Sequence, residues 1–314
     1  MTPLNAGLVM PRGSASDLLA RVAQAERRGI ATAWTTVGGP TADPVTAFAA
    51  AGAATDRIGL GTAVTPTYPR HPITLAAQAI AIDDLAPGRL RLGVGPSHKP
   101  VIEGVYGLPM GKPLAHLREY MTILRTLLWE GGVDFSGDYF TVKTALPAGV
   151  PAPKIPVPIS ALRPNAFRLA GEIADGAISW VTPIDYLTQT ALPELRAGAE
   201  AAGRERPPLI AHVPVSVSTD RAAARAAFRA QFPIYPKLPF YAAMFAAAGY
   251  PVTAAGEMTD DLVETLAVSG GPEEIRARLA AIRACGIDEL MVSHVVVADE
   301  ETELAVLSEI LAGE

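Results

Sequence analysis

A single cysteine, Cys285, occurs among the 314 residues. No internal disulfide can therefore form, which favours a reducing compartment. Cys285 falls in the apolar-patterned segment LAAIRACGIDEL, where it is expected to fill core rather than act as a nucleophile. Charge is also sparse. Only 18% of residues are charged and the net charge is −6, with no basic stripe, so a nucleic-acid partner is not expected. The arginines near 21–28 and 221–229 recur at helical spacing among alanines and read as solvated helix faces. No window holds 18 unbroken apolar residues, so no membrane span is expected. Residues 1–11 lack the basic region and long apolar run of a secretory signal. These absences point to a soluble, cytoplasmic protein with a small-molecule partner.

Several chemistries are missing by motif. HExxH, CxxC and a histidine-rich cluster are all absent, so no metal site is expected. There is no GxGxxG after the first strand, no GxxxxGK[ST] and no GxSxG, which removes the Rossmann, P-loop and nucleophile-elbow readings. Lysine is scarce at the expected strand ends, which argues against a Schiff-base aldolase.

What is present is a βα rhythm in a chain that is 49% hydrophobic. Strands are expected at 4–10, 31–36, 58–64, 89–95, 156–161, 176–181, 209–217 and 289–295, each followed by helical sequence. Ser14 or Ser16 can cap the first helix, and Asp43-Pro44 and His71-Pro72 open the second and third. Residues 113–130 place Leu117, Tyr120, Met121, Leu124, Leu127 and Leu128 on one helical face. Eight alternating units in one chain of this length predict a single α/β domain over residues 1–314, a (β/α)8 TIM barrel. Two segments break the rhythm. A hairpin is expected near 133–142, around Ser136-Gly137-Asp138. A helical, aromatic and proline-bearing insertion near 231–260 holds six of the sixteen Phe and Tyr residues, and it suits either a packed surface insertion or a lid.

In such a barrel the chemistry belongs at the C-terminal ends of the strands. Those ends offer glycines, small residues and hydroxyls rather than paired carboxylates. Gly93 and Gly95 would let a flat ring approach the backbone, and Arg163, beside Pro164 at a helix start, suits a phosphate. Among the histidines, His98 reads as a polar contact or proton donor and His71 as a helix cap. His116 is expected on a solvated helix face and His212 in the core, while His294 ends the last strand, where a mouth-facing side chain is one of two readings.

Residues 43–95, DPVTAFAAAGAATDRIGLGTAVTPTYPRHPITLAAQAIAIDDLAPGRLRLGVG, closely resemble the luciferase-like monooxygenase superfamily. LREYMTILRTLLWEGGVDFSGDYF and SALRPNAFRLAGEIADGAISW resemble its later units. Within it, GPSHKPVIEGVYGLPMGKPLAHLREY and QFPIYPKLPFYAAM resemble the branch that uses coenzyme F420, a deazaflavin; FMN is the alternative cofactor. The resemblance implies hydride transfer between F420 and a small unsaturated or carbonyl substrate, with an FMN-dependent monooxygenase or a non-enzymatic flavin-binding protein as alternatives. It also implies a homodimer, and a non-prolyl cis peptide near Ala63-Val64 supporting the ring. Cofactor contacts are expected from Thr36, Val37, Thr62, Ala63, Val64, Gly95, Pro96, Ser97, His98 and Trp180. Ser160, Ala161, Leu162 and Arg163 would hold the phosphate. His98 or Tyr68 would donate a proton, and Tyr235, Phe240, Tyr241 and Met244 would wall the substrate. Two departures stand out. Val37-Gly38 replaces the acidic or histidine residue that several relatives carry after the second strand, and the phosphate segment reads ALRP where many relatives are glycine-rich.

Overall fold

The structure is a computed structural model and describes residues 4–313. Eight parallel strands close into a ring. They are β1 (Ala6–Met10), β2 (Thr32–Thr35), β3 (Gly59–Thr62, resuming as Thr65–Pro66), β4 (Leu90–Arg91, resuming as Val94–Gly95), β5 (Ile159–Ser160), β6 (Ala177–Ser179), β7 (Leu209–Ser216) and β8 (Glu289–His294). Neighbours along the chain are neighbours in the ring. Thr32 pairs with Gly59, Leu60 with Leu90, Val94 with Ile159, and Ala177 with both Ile159 and Leu209. Closure comes from β8, which pairs with β7 at Ile210↔Glu289 and with β1 at Ala6↔Leu290. The strands are shorter than the apolar runs suggest, because pairing stops where the barrel rims begin.

Helices cover the outside. The expected starts hold: Ser14 caps the helix Ala15–Arg27 in a reciprocal box with Asp17, Asp43 caps Pro44–Ala53, and His71 Nδ1 accepts from the Ile73 amide at 3.3 Å. The six periodic residues of Pro113–Glu130 are all buried. Pro193 lies early in the helix Leu192–Ala201, directly after the wider π turn Leu187–Ala191. That turn accommodates the missing amide and the bulk of the ring.

The lumen is packed solid. Trp34 fills it together with Ile178, Ile210, Met291 and Ala63. A Cβ on Gly7 would lie 2.7 Å from Trp34, and one on Gly61 only 2.3 Å from it, so two flanking strands go without side chains where the indole sits. At the N-terminal end, Arg91 makes a two-pronged pair with Glu289. It also donates to Thr32 Oγ1 at 2.7 Å and lies 4.6 Å over the Trp34 ring. Trp34 Nε1 donates to the same carboxylate at 3.3 Å. A buried carboxylate and a partly solvated guanidinium thus plug the barrel floor, each hydrogen-bonded.

Two residues depart from expectation, each for a clear cause. His116 is buried, not solvated, because the hairpin Gly132–Ser136/Thr141–Ala145 folds Tyr139 and Phe140 over it. Glu119, one turn along the same helix, pins that hairpin by accepting from the amides of Asp138, Tyr139 and Phe140 at 2.8, 2.9 and 3.1 Å. Cys285 is exposed, because it follows the last buried residue of its helix, Ile282, and takes up the C-cap position. The insertion near 231–260 contains a short 3-10 turn, Tyr235–Lys237, and a helix, Pro239–Ala247. Beyond it lie a helix Asp260–Leu266, a strand fragment Val268–Ser269 paired to β7, and a helix Pro272–Ala284. These complete the segment between β7 and β8.

Candidate active site

The C-terminal strand ends assemble one connected surface. Between the two halves of β3 the Ala63-Val64 peptide is cis, at the position that the resemblance implied. Ala63 and the half-exposed Val64 pack with Trp180, which follows β6, on the apolar plug of the lumen. Gly95 brings β4 against both neighbours. A Cβ there would stand 2.1 Å from Ser160 Oγ and 2.8 Å from Val64 Cγ2. One on Gly93 would stand 2.0 Å from the Thr62 carbonyl oxygen. Both glycines let neighbouring strands come close. Thr62 itself is fully buried and donates to the Gly93 carbonyl at 2.7 Å.

Trp180 is held from below by His212 of β7. The rings stack at 3.7 Å with an interplanar angle of 7°. Imidazole Nδ1 accepts from the Val181 amide at 3.3 Å, which leaves the proton on Nε2 to be donated to Ser293 Oγ at 2.6 Å. Complete burial without a counter-charge lowers the His212 pKa to about 3. Val181 sits at φ 47, a left-handed conformation rare for a β-branched residue, and the bond to His212 helps to hold it there. Position inside a strand pointed to a core role for His212. Its part under Trp180 had no signal in the sequence, since residues 180 and 212 meet only through the β6–β7 register.

Above this floor stand Arg12, Thr36, Tyr235 and His98. Arg12 Nε donates to Thr36 Oγ1 at 3.1 Å, which ties the loops after β1 and β2 together. Burial raises the pKa of the Tyr235 phenol, while the Trp180 indole and the Arg12 charge both work in the other direction. His98 lies edge-on to Tyr235 at 6.4 Å and to Tyr241 at 5.8 Å. Burial lowers its pKa, so near neutral pH the ring is uncharged and offers one donor and one acceptor. Ser97, just before it, takes φ 63. Nothing in the sequence marks Arg12 as acting on Tyr235, which lies far from it in the chain.

The remaining candidates divide by position. Val37 and Ala161 are buried at the rim, and Pro96 and Leu162 are half-exposed. Arg163 is exposed at the start of the helix Pro164–Ile173, whose first-turn amides receive no side-chain cap from it. Tyr68 stacks on His116 at 3.9 Å and donates its hydroxyl to the Met110 carbonyl, and burial raises its pKa to about 12. That proton is already engaged. Tyr241 backs Tyr235 at 4.9 Å, Met244 is wholly in the core, and Phe240 is 61% exposed on the outer face of its helix. His294 is bound to Glu303 of the last helix at 3.0 Å.

The surface suits a flat, largely apolar ring. It has an apolar floor of Val64 and Trp180, hydroxyls at its edge, and an uncapped helix start beside Ser160 and Arg163 that suits a phosphate.

Comparison with known proteins agrees. The luciferase-like monooxygenase family matches residues 2–289. A putative coenzyme F420-dependent oxidoreductase of Mycobacterium tuberculosis is 31% identical, over 91% of this chain and 92% of that protein. An F420-dependent glucose-6-phosphate dehydrogenase of Nakamurella multipartita is 37% identical, over 60% of this chain and 57% of that protein. Among solved structures, the F420-dependent tetrahydromethanopterin reductase from Methanopyrus kandleri superposes with a TM-score of 0.81 at 22% identity, covering 99% of both chains. The FMN-bound oxygenating constituent of 3,6-diketocamphane monooxygenase, from a Pseudomonas putida plasmid, superposes at 0.74 with 18% identity, covering 100% of this chain and 99% of that one. The chain is a (β/α)8-barrel oxidoreductase that belongs to the luciferase-like monooxygenase family.

Proposed function

We propose that the chain is an F420-dependent oxidoreductase that moves hydride between the deazaflavin and a small unsaturated or carbonyl substrate. The observation that carries this reading is the continuous surface from Val64 through Gly95 and Ser160 to Trp180. It joins an apolar floor to an uncapped helix start, on a chain 31% identical over nearly its full length to a putative F420-dependent oxidoreductase. A bound deazaflavin supplies two-electron hydride chemistry and reacts poorly with oxygen.

The chain's own groups bind and orient. Val64 and Trp180 support one face of the ring, and the His212 stack fixes the angle of the indole. Thr36, Ser97 and Ser160 supply hydrogen bonds at the ring edge and along the side chain of the cofactor. Arg163 and the first-turn amides of its helix hold the phosphate. Tyr235 and Tyr241 close the space above the ring and exclude water. His98, uncharged and in contact with both tyrosines, presents an N–H to the substrate atom that takes up negative charge. Tyr68 braces the loop after β3, with its proton committed to Met110. A homodimer belongs to the same reading and is checked by light scattering.

The test is fluorescence titration of the purified chain with F420 and FMN side by side. Micromolar or tighter binding of F420, with FMN much weaker, supports the proposal. Trp180→Ala and Arg163→Met should each weaken F420 binding. Failure to bind F420 at all ends the proposal, and preference for FMN transfers the chain to oxygen-activating chemistry, with oxygen uptake as the readout.

A further inference from the structure

A second concavity lies outside the barrel mouth, where three helices converge beside the end of β7. They are Arg221–Gln231, Asp260–Leu266 and Pro272–Ala284. It encloses about 240 Å³ and shares no residue with the mouth surface. Its lining has two chemically distinct parts. One is apolar, with Phe228 and Val263 almost completely buried behind it. The other is cationic, with Arg221, Arg225 and Arg278 arriving from two helices.

Charge within this lining does not balance. Arg221 is paired with Glu274, and Arg225 with Glu264 at 2.9 Å. Arg225 also reaches Asp260, outside the lining, at 3.3 Å. Arg278 has no carboxylate or hydrogen-bond partner among the described residues, so three guanidiniums face two carboxylates across the cavity. This local cationic surplus faces a concave space on a chain of net charge −6. The guanidinium fork matches planar and tetrahedral oxyanions, which it can bind through two parallel hydrogen bonds. The volume falls just below the range of about 300–1,000 Å³ typical of drug-sized ligands, which limits the occupant to roughly a single ring or a short chain.

We propose that this cavity is a binding site for a small organic anion, with an apolar body seated against Phe228 and Val263 and an oxyanion held by Arg278 and its neighbouring arginines. The site lies on the segment between β7 and β8, which also carries the mouth residues Tyr235 and Tyr241. It stands independently of which cofactor the mouth takes.

The test is calorimetric titration of the full chain with phenyl phosphate, with inorganic phosphate at matched ionic strength as the comparison. The expected result is saturable 1:1 binding of phenyl phosphate, inorganic phosphate at least tenfold weaker, and a further tenfold or greater loss in Arg278→Met. Arg278 is exposed and has no partner among the described residues, so that variant should keep the circular dichroism and melting temperature of the parent. Arg163→Met, at the mouth, should leave phenyl phosphate binding unchanged. Absence of saturation at millimolar probe overturns the proposal. So does undiminished affinity in Arg278→Met, or loss in Arg163→Met alone, which would place the anion at the mouth.

Discussion

His212 makes the stability of the barrel sensitive to mild acid, and the effect can be worked from its contacts. Both ring nitrogens are satisfied only in the neutral, Nε2-protonated form, since Nδ1 accepts from Val181 and Nε2 donates to Ser293. A second proton on Nδ1 would face an N–H donor and place a charge in a fully buried site with no carboxylate beside it. Burial therefore depresses the folded-state pKa from 6.5 to about 3. A base with a depressed folded pKa contributes stability that is present above its unfolded pKa and lost as pH falls below it. Acidification from about pH 7.5 to about pH 5 should therefore remove about 2 kcal/mol through His212, and about 3 kcal/mol by about pH 4. Glutamine is the comparison, because its amide can accept from Val181 and donate to Ser293 without titrating. Urea unfolding of wild type and His212→Gln across this pH range isolates the residue, since His116, whose pKa burial lowers to about 4, contributes equally to both. The stability difference between the two proteins should shrink or reverse by about 2 kcal/mol on going to about pH 5. Parallel pH profiles would refute the assignment of a neutral, locked imidazole beneath Trp180.

Three further outcomes follow from packing and charge. Gly93→Ala drives a Cβ to 2.0 Å from the Thr62 carbonyl oxygen, backbone against backbone, and should cost about 3 kcal/mol in urea unfolding. Arg91→Met strands the Glu289 carboxylate at the barrel floor. It should cost about 3 kcal/mol, toward the low end because Arg91 is partly solvated, and the double variant Arg91→Met/Glu289→Leu should recover most of that loss. Glu119→Ala frees the three amides at the hairpin tip and should cost about 2 kcal/mol, with hydrogen exchange of Asp138, Tyr139 and Phe140 accelerated and the barrel amides unaffected.

The sequence by itself determined the periodic part of this protein. Apolar runs spaced between amphipathic stretches dictate eight βα units, because a strand buried on both faces and a helix buried on one leave different patterns in the chain. Helix starts were equally legible, since Ser14, Asp43 and His71 act on amides within three residues of themselves. Proximity in the chain also made the strand-end segments readable as a candidate site: Gly95 and Ser160 end strands, Val64 lies between the halves of β3, Trp180 follows β6, and closing the ring brings them together. Long-range register decided the rest. His212 meets Trp180 because β7 lies beside β6, and the Arg12 charge reaches Tyr235 across most of the length of the chain. His116 turned from an exposed histidine into a buried one because a hairpin some twenty residues later closes on it. Gly93 and Gly95 hold neighbouring strands close for the same reason. A missing side chain records that something comes close, and only the tertiary structure shows whether that is a ligand or the next strand.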